Sequence, residues 1–223
     1  MPWERFEQAA TRYAFWYTTP YGERVDVAER ALLDELLAHF PTASSALEVG
    51  CGTGHFTAWL ATKGRWIVGL DRAPAMVAVA QQQFPALPLL VGDAHHLPCR
   101  RGAVDLVVFI TTLEFLEEPD VALAEAARVA RQGMVLVVLN RWSLGGLSRR
   151  WGPQARRPLL GQAQDYSVGA LRAIVRQALG ERLRGMHWTS TLFPNGLWQC
   201  RAPVPLGEVL GMAAVLAAPG MQH

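Results

Sequence analysis

The residues best suited to do chemistry lie between Glu48 and Asp71. Gly50, Gly52 and Gly54 stand at alternate positions after the short apolar run Ala46–Val49. Glycines at such a spacing let the backbone adopt positive φ and let a ligand approach with no Cβ in the way. A helical pattern follows, Phe56 to Ala61, and then a second apolar run, Trp66 to Leu70, closed by Asp71. A strand, a tight turn, a helix and a second strand ending in an acid suit a nucleoside ligand, because a carboxylate at that tip can accept hydrogen bonds from two ribose hydroxyls. Dinucleotide sites use Gly-x-Gly-x-x-Gly and seat the pyrophosphate on the helix N-terminus. Here the third glycine comes one position early, and His55 occupies the place of the last dinucleotide glycine.

The series Glu48-x-Gly50-x-Gly52-x-Gly54 resembles motif I of the class I S-adenosylmethionine-dependent methyltransferases, in particular their small-molecule-type branch. Further pieces follow in order. Leu89-Leu90-Val91 leads into Gly92-Asp93-Ala94-His95-His96-Leu97-Pro98, which is similar to the family's Gly-Asp-Ala-x-x-Leu-Pro element. In the family, that aspartate accepts from the adenine amino group and the next N–H meets a ring nitrogen. Asp105 to Ile110 is an unbroken apolar run opened by an acid, and Thr111 to Leu116 stands where the family places the methionine part of the cofactor. The likeness is good from Leu33 to Asn140 and thinner at both ends. It implies S-adenosyl-L-methionine as cofactor, leaving as S-adenosyl-L-homocysteine. Glu48, Gly50, Cys51, Gly52, Gly54, Asp71, Arg72, Met76, Asp93, Ala94 and Thr111 are the implied cofactor contacts. Asp93 has a purely structural alternative, capping a turn. After Ile110 the chain has neither Asn/Asp-Pro-Pro-Tyr/Phe nor Pro-Cys, which disfavours amino methylation of nucleic acid and cytosine C5 methylation.

A methyl sulphonium is already a strong electrophile, so in-line transfer asks the protein mainly for alignment and exclusion of water. A base is therefore optional. If the acceptor is a hydroxyl or phenol, His95 and His96 are the candidates, and solvent-exposed loop histidines are the alternative. His55 is expected to pack at a helix start and His187 to be structural. The candidate acceptor contacts are Tyr13, Trp16, Tyr17, Glu114, Asn140 and Trp142. The aromatic N-terminal stripe either covers the pocket or packs on a sheet edge. The arginine- and tryptophan-bearing stretch Asn140 to Leu160 is either an anion-binding patch or an insertion whose arginines lie over aromatic rings. The expected function is methyl transfer to a small apolar or aromatic acceptor. The alternatives are a regulatory module that binds the cofactor without turnover, an RNA or protein methyltransferase docking through Arg141–Arg157, and a nicotinamide dehydrogenase.

The elements that must position these residues alternate along the chain. Helical spacing runs over residues 3 to 17 and again from Val25 to Phe40; strand and helix then repeat five times up to Leu139. Ser167 caps a further helix, Glu181 to Leu192 reads as a strand, and Gly211 to Ala218 as the last strand. The pattern predicts an α/β, Rossmann-like sheet with helices on both faces. The resemblance implies seven mostly parallel strands with the last antiparallel, under an N-terminal helical cover. One domain is expected over 1–223: cover 1–25, cofactor core 26–140, Arg/Trp insertion 141–165 and sheet completion 166–223. A content of 51% hydrophobic and 18% charged residues describes a globular chain, and a net charge of +2 gives no global case for nucleic acid. Cys51, Cys99 and Cys200 are far apart, with no metal-ligand spacing, so no metal site is expected and free thiols suit a reducing cytosol. The N-terminus lacks a signal-peptide apolar region, and the prolines and Glu208 between Ala202 and Met221 make a poor membrane span. A cytoplasmic enzyme with a small-molecule substrate and no membrane partner is the expectation; oligomeric state is not indicated.

Overall fold

The structure is a computed structural model that describes residues 3–144, 147, 163–193, 197 and 199–217. Arg149, Arg150, Trp151, Arg156, Arg157 and Ala218 lie outside the described residues, as does the side chain of Trp3. Two helices lead, α1 (Trp3–Trp16) and α2 (Pro20–Leu37). The sheet and its helices follow: β1 (Ser45–Val49), α3 (His55–Ala61), β2 (Trp66–Asp71), α4 (Pro74–Gln83), β3 (Leu89–Val91), β4 (Val104–Ile110), α5 (Pro119–Val129), β5 (Ala130–Leu139), α6 (Val168–Leu179), β6 (Leu183–Thr191) and β7 (Val209–Leu216). The seven strands order as β3-β2-β1-β4-β5-β7-β6. β7 runs antiparallel to both β5 and β6, and the other pairings are parallel. The chain winds outward from β1 to β3, then restarts at β4 beside β1. The strand order reverses at that junction, and in such sheets ligands bind there, beyond the carboxyl ends of the strands.

Two apolar layers cover the sheet. One face packs against α5 and α6 through Leu47, Phe109, Leu123, Leu136 and Val175. The other packs against α2 and α3 through Ala46, Leu60, Leu32, Leu36, Val108 and Val137. β4 is buried along its whole length, as a central parallel strand must be. Its opening acid ties the amino-terminal end of the sheet together. Asp105 Oδ2 accepts from the backbone N–H of Ser44 and Ser45 at 2.9 and 3.1 Å, and Oδ1 from Arg131 Nε at 2.8 Å. These donors, working against burial, hold its carboxyl well below the usual carboxylate range.

Three sequence expectations shift. The second helix starts at Pro20 and not at Val25, leaving only residues 17–19 between the two helices, because Thr19 caps α2 by accepting from Gly22 N at 3.0 Å. The strand–helix repeat is not fivefold: residues 92–103 join β3 to β4 through turns alone. Gly133 lies inside β5, where a Cβ would collide with the Ala214 carbonyl and the Phe40 ring. The last strand begins two residues earlier than read, at Val209. No described helix is long and apolar enough to cross a membrane.

Candidate functional site

A cavity of about 110 Å³ lies at the carboxyl ends of β1 to β4. Each strand supplies a piece of its wall. β1 contributes Val49, Gly50 and Gly52; β2 contributes Leu70, Asp71 and Arg72; the segment after β3 contributes Gly92 to His95; β4 contributes Ile110, Thr111 and Thr112. Met76 of α4 and Phe115 and Leu116 beyond β4 complete the base, and Phe6 and Tyr13 of α1 form the roof. The roof is anchored. The Glu7 carboxylate accepts from Ala75 N at 3.1 Å, capping the first turn of α4, and Phe6 meets the Phe115 ring edge-on at 4.9 Å. The aromatic stripe of α1 therefore does cover the pocket at Phe6 and Tyr13.

The glycine turn divides its labour. Gly50 and Gly52 have φ of 76° and 53°. A Cβ on Gly50 would collide with the Thr112 side chain, whereas one on Gly52 would meet only Tyr13 Cε1, at 3.9 Å. The open side of Gly52 thus faces pocket space. Gly54, also at positive φ, does not line the pocket; its bare Cα lets α3 pack on Ala80 of α4 and on Phe84 just beyond it. Thr111 sits at φ 48°, an uncommon value for a residue with a side chain, and lines the pocket.

The two acids differ in surroundings. Asp71 Oδ2 accepts from Gly52 N at 2.8 Å and Oδ1 from Ala73 N at 2.9 Å. Burial still pushes its carboxyl above the ordinary range despite those donors. Each oxygen keeps a further lone pair for a ligand hydroxyl. Asp93 Oδ1 accepts from His95 N at 3.0 Å and pairs with His95 Nδ1 at 2.7 Å, while Arg72 Nη1 stands 3.6 Å from Oδ2. Partial burial raises the Asp93 carboxyl, but the His95 and Arg72 donors outweigh it and hold it low. The turn-capping role and a place in the pocket coexist at Asp93. With Nδ1 turned to Asp93, His95 Nε2 is buried and has no hydrogen-bond partner among the described residues.

Several expected contacts are placed elsewhere. His96 is exposed and faces a separate cleft with Glu125 and Arg128, so it does not reach this pocket. Glu48 lies beneath the turn, accepting from Thr57 Oγ1 at 2.5 Å, and burial pushes its carboxyl up to about 8. Cys51 is also buried beneath the turn, its thiol pushed well up by burial. Glu114 is turned inward, Oε1 accepting from Leu139 N at 2.5 Å. Asn140 is fully buried and acts as a clamp, its Nδ2 donating to the Pro205 and Gly207 carbonyls at 3.1 and 2.7 Å and its Oδ1 accepting from Trp142 N. Trp142 is 56% exposed, with the Arg141 guanidinium 5.9 Å from its ring centre. Trp16 does not line the pocket and packs against Tyr17 and Tyr21. Tyr17 stacks on His55 at 3.9 Å, and His55 Nε2 is 2.6 Å from Asp26 Oδ1. His187 stacks on His39 across the α2–β6 contact.

Phe6, Thr112, Phe115 and Leu116 were not foreseen as lining residues. Phe6 carried a signal, since it shares the helical stripe with Tyr13; the other three lie in the post-β4 segment, where only Thr111 and Glu114 were singled out.

Residues 47–138 match the family described as methyltransferase domain. Malonyl-acyl-carrier-protein O-methyltransferase of Pectobacterium atrosepticum is 32% identical over 152 residues, which cover 66% of this chain and 60% of that protein. The chain thus spans little more than half the length of this relative. Demethylmenaquinone methyltransferase of Streptomyces avermitilis is 29% identical over 165 residues, covering 69% of this chain and 71% of that protein. Among solved structures, a methyltransferase of Thermotoga maritima described as a possible histamine N-methyltransferase superposes with a TM-score of 0.80 at 21% identity, covering 96% of this chain and all of that one. Magnesium protoporphyrin IX methyltransferase of Synechocystis, solved with S-adenosylhomocysteine, gives a TM-score of 0.65 at 18% identity, over 93% and 94% of the two chains. The likeness to these structures is one of fold.

Proposed function

We propose that the chain is a class I S-adenosylmethionine-dependent methyltransferase and that it transfers a methyl group from S-adenosyl-L-methionine to a small acceptor with an apolar or aromatic body. The observation that carries the reading is the convergence of four strand ends on one pocket. The open side of Gly52, Asp71, Asp93 and His95 all border it, under the aromatic roof of Phe6 and Tyr13.

These groups fit the cofactor by type. Asp71 would hold the ribose hydroxyls, and Asp93 with the Ala94 backbone would read the adenine edge between Met76 and the neighbouring apolar side chains. The Gly50–Gly52 backbone, with Thr111 and Thr112, would hold the amino-acid part. When bound, the cofactor supplies the electrophilic methyl group. The chain's own work is then to align and to exclude water: α1 closes over the pocket, and Phe6 and Tyr13 keep it dry. A histidine base is not part of this reading. His95 follows β3, three strand spacings or about 14 Å from β4, and so sits with the nucleoside-holding acids rather than with the post-β4 segment.

The relatives are named for malonyl-acyl-carrier protein and demethylmenaquinone, so their names do not single out an acceptor for this chain. Calorimetric titration with S-adenosylhomocysteine, with NADH as control, tests the reading. One-site binding of the former alone is expected, and binding of NADH alone would overturn it.

A further inference from the structure

A second cavity lies where the segment after β3 meets α5 and α6, and it shares only His95 with the strand-end pocket. It is a cleft of about 620 Å³, within the range of small-molecule sites, about 300–1,000 Å³. Two kinds of residue line it. Val121, Ala124 and Leu179 are apolar. Arg101, Arg128, Arg182 and His96 are basic, against a single carboxylate, Glu125.

The one carboxylate is already engaged. Glu125 accepts from Arg128 Nε and Nη2 at 2.7 and 2.8 Å and from Leu97 N at 3.0 Å. Arg128 gives its other hydrogen bonds to the Cys99 and Leu97 carbonyls at 2.7 and 3.1 Å. This pair is a closed, neutral unit that builds the wall. Arg101 and Arg182 differ from it. Arg182 donates to neutral groups, the Ala127 and Ala130 carbonyls at the end of α5. Arg101 is exposed, and among the described residues no hydrogen bond or ion pair holds it. Burial first, and then the Arg101 charge, hold the Arg182 guanidinium below its usual range, as expected of two cations in one cleft with no acid between them. His95 borders the cleft too. Its Nδ1 is taken by Asp93, and its Nε2 is buried with no hydrogen-bond partner among the described residues. Buried polar atoms are as a rule paired, so an unpaired nitrogen on a residue that borders two cavities is a point for a ligand to satisfy.

We propose that this cleft is a second ligand site, for a small phosphorylated molecule with an apolar body. The phosphate lies between Arg101 and Arg182, whose unspent N–H groups suit its oxygens in pairs. The apolar body lies on Val121, Ala124 and Leu179. A dianion matches both guanidiniums, whereas a carboxylate would leave one of them unmatched. The volume suits a small molecule, and a net charge of +2 offers no wider basic surface for a nucleic acid. The site stands apart from the cofactor reading.

The test is calorimetry on the full chain with phenyl phosphate as probe, at about pH 8, where a phosphate monoester is a dianion. One-site binding is expected. Phenylacetate and phenol keep the ring and should bind about tenfold more weakly or worse. Arg101→Gln should weaken phenyl phosphate by about tenfold or more, and so should Val121→Glu, which sets a carboxylate in the cleft wall. Arg24→Gln removes an exposed charge on α2 instead and should leave affinity within about twofold. Saturating S-adenosylhomocysteine should not compete. Absence of binding, an equal loss in Arg24→Gln, phenylacetate bound as tightly, or displacement by S-adenosylhomocysteine overturns the proposal. So does a chain that binds poly-glutamate and not phenyl phosphate, which makes this face a docking surface for an acidic protein. Arg101 and Val121 are both exposed, so the two variants should melt with wild type, and either one that folds decides. A chain that ignores S-adenosylhomocysteine loses the cofactor reading alone, and the Arg101 and Val121 comparisons still decide the cleft.

Discussion

Replacing Asp71 by asparagine perturbs both the shape of the pocket and its proposed ribose contact. The carboxylate oxygens accept from Gly52 N at 2.8 Å and Ala73 N at 2.9 Å. An amide offers one oxygen and one NH2, so whichever way it turns, one backbone N–H faces another donor. Loss of one charge-assisted bond of this kind costs about 1.5–3 kcal/mol. At 2–4 °C per kcal/mol for a domain of this size, the melting midpoint should fall by about 3–12 °C. A second charged bond, to a ribose hydroxyl, is lost on binding. The same 1.5–3 kcal/mol there weakens S-adenosylhomocysteine by about 10- to 150-fold. Calorimetry at 25 °C on folded Asp71→Asn measures this. Titration with adenosine and 2′,3′-dideoxyadenosine separates a lost ribose contact from a disturbed turn: wild type should prefer adenosine, and the variant should not. A folded variant that binds S-adenosylhomocysteine within twofold of wild type, or keeps the preference for adenosine, refutes the assignment.

Three further outcomes are expected. Burial pushes Glu48 and Glu29 up to about 8, so the folded chain holds more protons than the unfolded chain between the ordinary carboxylate range and pH 8. Stability should therefore fall as pH rises through that window. Glu48→Gln should gain on wild type by several degrees between pH 5 and pH 8.5 in paired melting curves, and an unchanged difference across that range would remove the argument. Asn140→Ala deletes the buried clamp on Pro205, Gly207 and Trp142 and should cost about 2–4 kcal/mol in urea unfolding, with S-adenosylhomocysteine affinity at 20 °C within twofold; a large loss of affinity would return Asn140 to the pocket. His96→Ala should leave cofactor affinity and methyl transfer within twofold, since its side chain faces the other cleft; a tenfold loss of turnover would restore it as a base.

Much of this site is legible in the chain. The alternate glycines, the acid closing the second apolar run and the Gly92–Pro98 element are local signals, because turn geometry and strand ends are specified by adjacent residues. The parallel part of the sheet needed little more, since apolar runs that alternate with helical stretches imply one. Spacing does not reveal which side of an element a polar residue faces. Gly50, Gly52 and Gly54 look alike in sequence, yet Gly52 opens to the pocket while Gly54 admits Ala80 and Phe84. His95 and His96 are adjacent, yet only His95 reaches the strand-end pocket, while both border the cleft with Glu125 and Arg128. Glu48 and Asn140 sit at strand ends and look like ligands, but packing draws their side chains inward to Thr57 and to the 205–207 turn.

The sequence by itself determined the strand–turn–helix frame, the carboxylates at the strand tips and the aromatic helix ahead of them, because each depends on residues within a few positions of one another. Only the tertiary structure decided how α1 lies across α4, that Glu7 anchors it, and that Glu48 and Asn140 turn away from the pocket. Those placements depend on contacts between residues far apart in the chain, where burial, and not local spacing, selects the partner.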